Sequence, residues 1–190
     1  KKHIEEGRDG LAEKSKDMGV TWSYIWLYYW FWRFKSNFSG LIGSYKEAIV
    51  DDRTIDSLFG KLDYALKNTP KWLWPHRFKM KDHRQKLKLV NPENNNLISG
   101  DSMNPEFGRG SRKTCVFLDE GAFWEYFRES WESCGDTTSC RLVCSTPHGR
   151  NSFAILRDSG IDYLTLHWRQ HPFKDEEWYE FQKQRRTDEE

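Results

Sequence analysis

The chain has 190 residues, with 30 Lys and Arg against 29 Asp and Glu, which gives a formal net charge of +1 at pH 7. This length suits one domain with a substantial core, and the balanced charge excludes a strongly basic DNA-coating protein, although a local patch can still bind a nucleic-acid backbone. The four cysteines form no C-x-x-C pair, so we expect a reduced, intracellular protein with buried thiols. A zinc site at Cys134, Cys140, Cys144 and His148 is the alternative, but this spacing matches no common zinc finger.

The first predicted strand, residues 10–14, leads into a candidate phosphate loop, KSKDMGVT, at residues 14–21. The standard loop is G-x-x-x-x-G-K-S/T, in which backbone N–H groups surround the phosphates ahead of a helix. Here Gly19 and Thr21 match, whereas Lys14 replaces the first glycine and Val20 occupies the usual lysine position. A long lysine side chain at the start of the loop can still reach the phosphates, and the following helix offers its positive N-terminal end.

We therefore interpret this loop as nucleotide-binding, with Thr21 as a magnesium ligand; a basic turn ahead of a helix is the alternative. The candidate nucleotide-binding residues are Lys14, Ser15, Lys16, Asp17, Met18, Gly19, Val20 and Thr21.

An aromatic run, WSYIWLYYWFWRF, occupies residues 22–34 within a helix predicted over residues 21–35. The run is too short to span a bilayer and is interrupted by Arg33, so we interpret it as the buried first helix of the domain rather than a membrane anchor. No signal peptide is apparent at the charged start of the chain. Downstream, the pattern predicts a strand at 40–45, a helix at 54–67 capped by Thr54 or Asp52, and a hairpin of strands 86–90 and 95–99.

A glycine-rich loop with two arginines, DSMNPEFGRGSR, follows at residues 101–112. A flexible loop that carries arginine at a sheet edge can reach into the phosphate site of another subunit and stabilise transition-state charge. Arg109 and, more weakly, Arg112 are therefore candidates for an arginine finger supplied in trans. The alternative is a solvated basic loop that touches DNA or nothing.

The strand predicted at 113–118 carries the acidic pair of the chain, in the sequence TCVFLDE. An apolar run of this kind indicates a buried strand of a parallel sheet, and Asp119 and Glu120 then emerge at the carboxyl edge, where open α/β sheets bind ligands. Asp119 can hold magnesium, and Glu120 can polarise a water for attack on a phosphate. A strand that merely runs out into solvent is the alternative.

The last predicted elements are a helix at 122–131, a strand at 141–145, a turn at 146–150 with a short helix to residue 157, a strand at 162–168 and a helix at 174–186. At the tip of strand 141–145, Ser145, Thr146 and Pro147 can sense the γ-phosphate or the attacking water; a plain exit from the strand is the alternative. Strands that alternate with helices predict an α/β fold, a mainly parallel sheet with helices on both faces.

Taken together, KSKDMGVTW, GRGSRKTCVFLDEGAFW and CSTPHGRNS resemble the ATPase domain of the large terminase subunit of tailed bacteriophages, the DNA-packaging motor. That family has a deviant phosphate loop with its basic residue displaced to the beginning. HPFKDEEWYEFQKQRR resembles the family's exit from this domain. One departure is Lys16, where relatives often have arginine, so its phosphate contact is expected to be less directional.

The resemblance implies a P-loop ATPase domain of the RecA-like, ASCE type at residues 1–172, truncated at its N-terminal end and lacking the adenine-contacting segment. Residues 173–190 are then a polar exit helix or linker toward a nuclease domain, for which no acidic cluster is evident after Arg186. Glu120 is implied as the catalytic base, Ser145-Thr146-Pro147 as the motif that couples hydrolysis to motion, and Arg109 as the better-matching finger.

The implied function is ATP hydrolysis, with Mg²⁺, that powers translocation of double-stranded viral DNA into a procapsid in the host cytoplasm. The implied partners are double-stranded DNA, the portal protein, the small terminase subunit and further copies of the chain in a ring, with no membrane. Two alternatives remain open. A helicase-like DNA-dependent ATPase would need a second RecA-like lobe, for which the chain is too short. A non-hydrolysing nucleotide-binding or scaffold domain is favoured by the missing standard lysine, whereas Asp119 and Glu120 argue against it.

Overall fold

A computed structural model describes residues 1–185. Within this range one sheet contains eight strands: Gly10–Lys14 (β1), Ser39–Ser44 (β2), Arg84–Gln85 (β3), Lys88–Val90 (β4), Leu97–Ser102 (β5), Cys115–Asp119 (β6), Arg141–Ser145 (β7) and Tyr163–Leu166 (β8). The described α-helices are Lys2–Glu6 (α1), Val20–Phe34 (α2), Glu47–Val50 (α3), Leu58–Asn68 (α4), Met80–His83 (α5), Phe127–Gly135 (α6), Ser152–Arg157 (α7) and Glu176–Gln184 (α8).

The strand order across the sheet is β3-β4-β5-β2-β6-β7-β1-β8. All neighbouring pairs from β5 to β8 are parallel, and β3 and β4 add an antiparallel edge. In register, Asp119 lies beside Cys144, and Glu13 lies beside Ser145. The carboxyl ends of β6, β7 and β1 therefore meet at one edge, as the predicted α/β fold requires.

Two apolar layers cover the sheet. On one face, α2 and α4 pack over a core that includes the fully buried Ile25, Tyr28 and Trp32. Their spacing of three and four residues places them on one side of α2, so the aromatic run forms a helix packed on the core, as predicted. It is the second helix of the chain and not the first, because α1 precedes it. On the other face, α6 and α7 pack through Phe127 and Phe153. No helix in the described residues is long and apolar enough to cross a membrane.

The helix predicted at 54–67 begins later than expected, at Leu58, and neither Thr54 nor Asp52 caps it. Ser57 is the cap, because its Oγ accepts a hydrogen bond from the Gly60 N–H at 3.1 Å. Asp52 instead accepts hydrogen bonds from the Thr54 N–H and hydroxyl, each at 2.8 Å, and closes its own turn.

The helix predicted at 122–131 is wrong in its first half. Residues Gly121–Phe123 form a single 3₁₀ turn, and α6 begins only at Phe127. In this segment the Ala122 N–H donates to Ser145 Oγ at 3.1 Å, and Trp124 Nε1 donates to the Asp119 carbonyl at 2.9 Å.

The remaining elements agree with the sequence within a few residues. The predicted hairpin is the antiparallel β4–β5 pair, and β5 also pairs in parallel with β2. The last predicted helix is α8, and its expected end at residue 186 lies outside the described residues. No element was predicted where α1, α3, α5 and β3 lie.

Candidate active site

The loop between β1 and α2 leaves a run of backbone N–H groups without partners. Asp17 and Gly19 both adopt the left-handed conformation, with φ of 63° and 71°, and the Ser15 N–H donates to the Leu166 carbonyl at 2.9 Å. Among the described residues, the N–H groups of residues 16–22 donate no hydrogen bond. Consecutive free N–H groups at a helix N-terminus bind anions, so the loop has the character of a phosphate site.

Thr21 and Asp119 form the polar contact at the floor of this loop. The Thr21 hydroxyl donates to Asp119 Oδ1 at 2.7 Å, and the Cys144 thiol donates to the same oxygen at 3.2 Å. Burial raises the pKa of the Asp119 carboxyl, and the charge of Glu120 adds to this rise, whereas the bonds from Thr21 and Cys144 oppose it.

These two residues fit a magnesium ion. A hydroxyl and a carboxylate oxygen are hard ligands, and Mg²⁺ commonly takes only one or two protein groups and completes its shell with phosphates and water. The described residues contain no cluster of three or more His, Cys, Asp or Glu side chains that could hold a metal by themselves. Thr21 and Asp119 are therefore the residues that could hold Mg²⁺ together with a bound nucleotide.

Glu120 stands at the centre of the site in a strained backbone conformation, with φ of 53° and ψ of 46°. Its Oε1 accepts a hydrogen bond from Lys14 Nζ at 2.7 Å. Its Oε2 accepts from the Thr146 N–H at 3.2 Å, the Ser145 hydroxyl at 3.3 Å and the Thr146 hydroxyl at 3.4 Å. A left-handed glutamate costs on the order of 1 kcal/mol, and such strain is concentrated at functional sites.

Lys14 is almost fully buried, with 7% of its side chain exposed. Burial by itself lowers the pKa of its ammonium, but the hydrogen bond and negative charge of Glu120 outweigh this, and the pKa is raised. Lys14 is thus a permanent cation between the phosphate loop and the candidate base. Lys16, by contrast, is exposed.

The tip of β7 completes the cluster. Ser145 and Thr146 are buried, and both contact Glu120, whereas Pro147 is exposed. The Ser145 oxygen also accepts from the Ala122 N–H, which ties the tip of β7 to the turn after β6. The structure therefore brings together Lys14, Thr21, Asp119, Glu120 and the Ser145–Thr146 pair.

The two candidate finger arginines lie apart from this cluster. Arg109 Nη1 donates to Glu106 Oε2 at 2.6 Å, and both side chains are more than 60% exposed. The neighbouring Gly108 is packed against Cys134 of α6, and its carbonyl accepts from the Thr137 hydroxyl at 2.8 Å. Arg112 is exposed and has no ion-pair partner within the described part of the chain.

Two contacts of the site carried no signal in the sequence. Cys144 is buried, as expected for all four cysteines. Its thiol also donates to Asp119, a contact that depends on the register between β6 and β7. Lys174 donates to the Lys16 carbonyl from 158 residues away.

No protein-family model and no curated protein sequence matches the chain. Among solved structures, the ATPase domain of the Thermus phage P74-26 large terminase is similar, with a TM-score of 0.62 at 16% identity over 95% of this chain and 84% of that domain. An arginine-to-alanine variant of that domain is similar at 17% identity. The HK97 bacteriophage large terminase gives a TM-score of 0.58 at 11% identity over 88% of this chain. The large terminase of a thermophilic bacteriophage, in complex with ADP, gives 0.62 at 13% identity over 97%.

These structures establish the fold: the chain has the P-loop, RecA-like fold of the large terminase ATPase domains. The chain spans 36% and 46% of the HK97 and ADP-bound terminase chains.

Proposed function

We propose that this domain is a Mg²⁺-dependent ATPase whose hydrolysis powers translocation of double-stranded viral DNA into a procapsid. The observation that carries the proposal is the contact set of Glu120. One of its oxygens bonds to Lys14 of the phosphate loop and the other bonds to the tip of β7. The fold of the terminase ATPase domains, and the ADP bound by one of those terminases, support the proposal.

In this proposal the N–H groups of residues 16–22 bind the phosphates of ATP, and Lys14 and Lys16 neutralise their charge. Thr21 and Asp119 hold Mg²⁺, which when bound offsets the charge of the β- and γ-phosphates. Glu120 accepts a proton from the attacking water, because it is the carboxylate next to the loop with a partly exposed side chain.

The Lys14–Glu120 ion pair gives nucleotide a second role. Lys14 Nζ lies 2.7 Å from Glu120 Oε1 and occupies that oxygen. Phosphate oxygens compete for the same ammonium, so ATP binding draws Lys14 away from Glu120. The vacated Glu120 oxygen can then accept a hydrogen bond from the attacking water.

Ser145 and Thr146 then couple the site to motion. Both contact the same Glu120 oxygen, and Pro147 leads from them into the loop before α7. A change in the position of Glu120 between the ATP and ADP states would be passed to this loop.

The wider assignments follow from the likeness to terminases and are part of the proposal. Double-stranded DNA, the portal protein, the small terminase subunit and further copies in a ring are the proposed partners, with the host cytoplasm as the site of action. Residues 173–190 are proposed as the connection toward a nuclease domain, and Arg109 as a finger supplied in trans.

The test is Mg²⁺-dependent phosphate release by the purified chain, with and without duplex DNA. The packaging-motor proposal predicts slow release that duplex DNA increases, with loss of release in EDTA. Preferential stimulation by single-stranded DNA would favour the helicase-like alternative. Nucleotide binding without any release, at all protein concentrations, would favour the non-hydrolysing alternative and overturn the enzyme assignment.

A further inference from the structure

The residue that contacts the phosphate loop from outside is Lys174, just ahead of α8. Its side chain is 7% exposed, and its Nζ donates to the Lys16 carbonyl at 2.5 Å and lies 3.8 Å from Asp17 Oδ2. The ammonium also stands over the Trp178 ring, 4.7 Å from its centroid. Because a buried donor or acceptor without a partner costs free energy, the bond from Lys174 holds the Lys16 carbonyl in one orientation.

The bond also fixes the N–H on the other side of the same peptide. The described chain has no cis peptide, and in a trans peptide the C=O and the following N–H point in opposite directions. With the Lys16 carbonyl directed at Lys174, the Asp17 N–H points away from Lys174. That N–H belongs to the run that donates no hydrogen bond within the described residues.

We propose that Lys174 is a positioning residue that holds the Lys16–Asp17 peptide in its phosphate-binding orientation. The inference rests on the proposed nucleotide-binding role of the loop. It also links that loop to α8, because the Asp175 side chain caps α8 by accepting the Trp178 N–H at 2.8 Å, and Trp178 packs under Lys174. Nucleotide binding and the docking of α8 should then stabilise each other.

The test compares Lys174→Met, which keeps the length but removes the donor, with Lys174→Arg, which keeps a cationic donor. Lys183→Met, at an exposed position of α8, is the matched control. Titration with fluorescent ADP should show affinity about tenfold weaker or more for Lys174→Met, from the loss of a charge-assisted bond. Lys174→Arg should recover most of the affinity, and the control should match wild type. In turnover assays, KM should rise with little change in kcat.

Amide hydrogen exchange across α8 gives a second readout: ADP should slow this exchange in wild type, and the slowing should be lost in Lys174→Met. Unchanged affinity and a wild-type slowing of exchange in that variant overturn the Lys174 proposal alone. A wild-type protein that binds no ADP instead overturns the proposed function. A lower melting temperature with wild-type affinity would assign Lys174 a purely structural role, which also contradicts the proposal.

A second feature is a cationic surface far from the nucleotide site. Residues 67–81, here called the basic segment, contain five Lys and Arg and no Asp or Glu, while the rest of the chain has 25 Lys and Arg against 29 acids. All five cations are exposed, and none has an acidic partner within 4 Å among the described residues: Lys67, Lys71, Arg77, Lys79 and Lys81. Trp72, in the same segment, is 80% exposed.

The basic segment is held firmly on the fold. Trp74 Nε1 donates to the Leu66 carbonyl at 3.0 Å, and Phe78 packs edge-on against Trp32 at 5.6 Å. Arg33, near the C-terminal end of α2, donates to the Leu73 carbonyl. The phosphate loop lies at the other end of this 15-residue helix, roughly 22 Å away. Cations fixed without acidic partners are suited to a polyanion, and phosphates along a nucleic-acid backbone supply such spaced charges.

We infer that the basic segment contacts the backbone of duplex DNA, a choice of polyanion that rests on the proposed function. The double variant Lys71→Gln/Lys79→Gln is compared with Lys46→Gln/Lys183→Gln, which removes the same charge from exposed positions elsewhere that have no ion-pair partner within residues 1–185. Anisotropy of a labelled duplex, measured across a salt series, should show several-fold weaker binding for the first double variant. The plot of log K against log salt should also become less steep by about 2, because each lost phosphate contact reduces the steepness of that slope by roughly 0.9.

The control should bind as wild type, and phosphate release without DNA should be unchanged in both double variants. If both double variants lost the same affinity for duplex DNA, the effect would come from net charge and not from this segment, and the inference would be overturned. A wild-type protein that binds no duplex at low salt, or one that prefers single strands or anionic vesicles, would also overturn it. If the protein bound duplex DNA through this segment but showed no ATPase activity, the DNA-binding inference would be supported and the proposed ATPase function would be refuted.

Discussion

At the scale of single residues, the site depends on one glutamate whose two oxygens have different partners. Glu120 bonds to Lys14 through one oxygen and to Ser145 and Thr146 through the other. The first contact joins Glu120 to the phosphate loop, and the second joins it to the tip of β7. A residue with both contacts is expected to be needed for chemistry more than for nucleotide affinity.

We predict that Glu120→Gln still binds ATP but turns over more slowly by roughly 10²-fold or more, because the amide keeps the shape and loses the basic oxygen. Glu125→Gln, an exposed carboxylate in the same segment, serves as the control and should retain wild-type turnover. Phosphate release and nucleotide titration measure the two quantities. Wild-type turnover in Glu120→Gln would remove this residue from the mechanism.

The same assays should distinguish the roles of the two lysines of the phosphate loop, Lys14 and Lys16. Lys14 is buried and points into the site, so Lys14→Ala should weaken nucleotide binding more than Lys16→Ala, whose side chain is exposed. Lys16→Ala is expected to lower turnover with little change in affinity, if its charge acts mainly in the transition state. Equal affinity of wild type and Lys14→Ala would contradict the assignment of Lys14 to the phosphates.

At the scale of elements, the antiparallel edge of the sheet depends on a buried arginine. Arg84 of β3 bonds through Nη2 to Asp51 at 2.8 Å and through Nε to Asp63 of α4 at 2.8 Å, and its side chain is fully buried. Asp51 also accepts the Leu87 N–H at 2.7 Å, which holds the β3–β4 turn. Burial raises the pKa of Asp51, but the bonds from Arg84 and Leu87 outweigh it, and the pKa is lowered.

We predict that Arg84→Met lowers the free energy of unfolding by about 3–5 kcal/mol, because two buried carboxylates lose their partner. Arg53→Met is the control, since Arg53 is half-exposed and 3.9 Å from Asp51. Denaturant unfolding of both variants gives the comparison.

The pH dependence follows from the same shift. In wild type, the pKa of Asp51 is lower folded than unfolded, so its stabilising contribution is complete above the unfolded pKa and is lost as pH falls through the folded pKa. In Arg84→Met, the buried carboxylates are uncompensated, and protonation relieves them. The stability deficit of the variant should therefore begin to shrink above the unfolded pKa of about 4, as the buried carboxylates bind protons, and shrink further below it, where wild type loses the contribution of Asp51. A deficit independent of pH would show that packing, and not charge, is the main loss.

At the scale of the whole molecule, the glycine-rich loop presents its arginine to solvent, away from the candidate nucleotide site of its own chain. Arg109 is exposed and pairs with Glu106, and the Gly108 carbonyl is bonded to Thr137. The loop is therefore anchored next to α6 and not flexible as the sequence suggested, and the exposed Arg109 stays a candidate for a finger supplied to a neighbouring subunit.

We predict that the isolated chain hydrolyses ATP slowly and that specific activity rises with protein concentration, because a second molecule supplies the charge. An Arg109→Ala subunit keeps an intact site, and a Glu120→Gln subunit keeps an intact finger, so their mixture should recover activity that each lacks alone. The gain from such a finger is about 10³–10⁵-fold in other phosphoryl-transfer systems. Arg112→Ala in place of Arg109→Ala tests the weaker candidate. A mixture that stays inactive while the proteins associate would exclude action in trans.

The sequence alone was sufficient for the alternating α/β elements, and it also supplied the residues of the candidate site. The apolar run that ends in Asp119 is the buried β6, and the loop that ends in Thr21 opens α2, because hydrophobic runs and glycine placement are local properties. The local pattern failed at residues 122–126, where a 3₁₀ turn stands in place of the predicted start of a helix and the helix begins only at Phe127.

Only the tertiary structure decided which side chains meet. Lys14 and Glu120 are 106 residues apart, and they touch because β1 and β6 flank β7 in the parallel sheet. The strand order is set by crossover connections and by the packing of two apolar faces, which no local window of sequence contains. The bond from Lys174 to the Lys16 carbonyl likewise joins residues 158 positions apart, whereas the residue types of the candidate site can be read from the sequence itself.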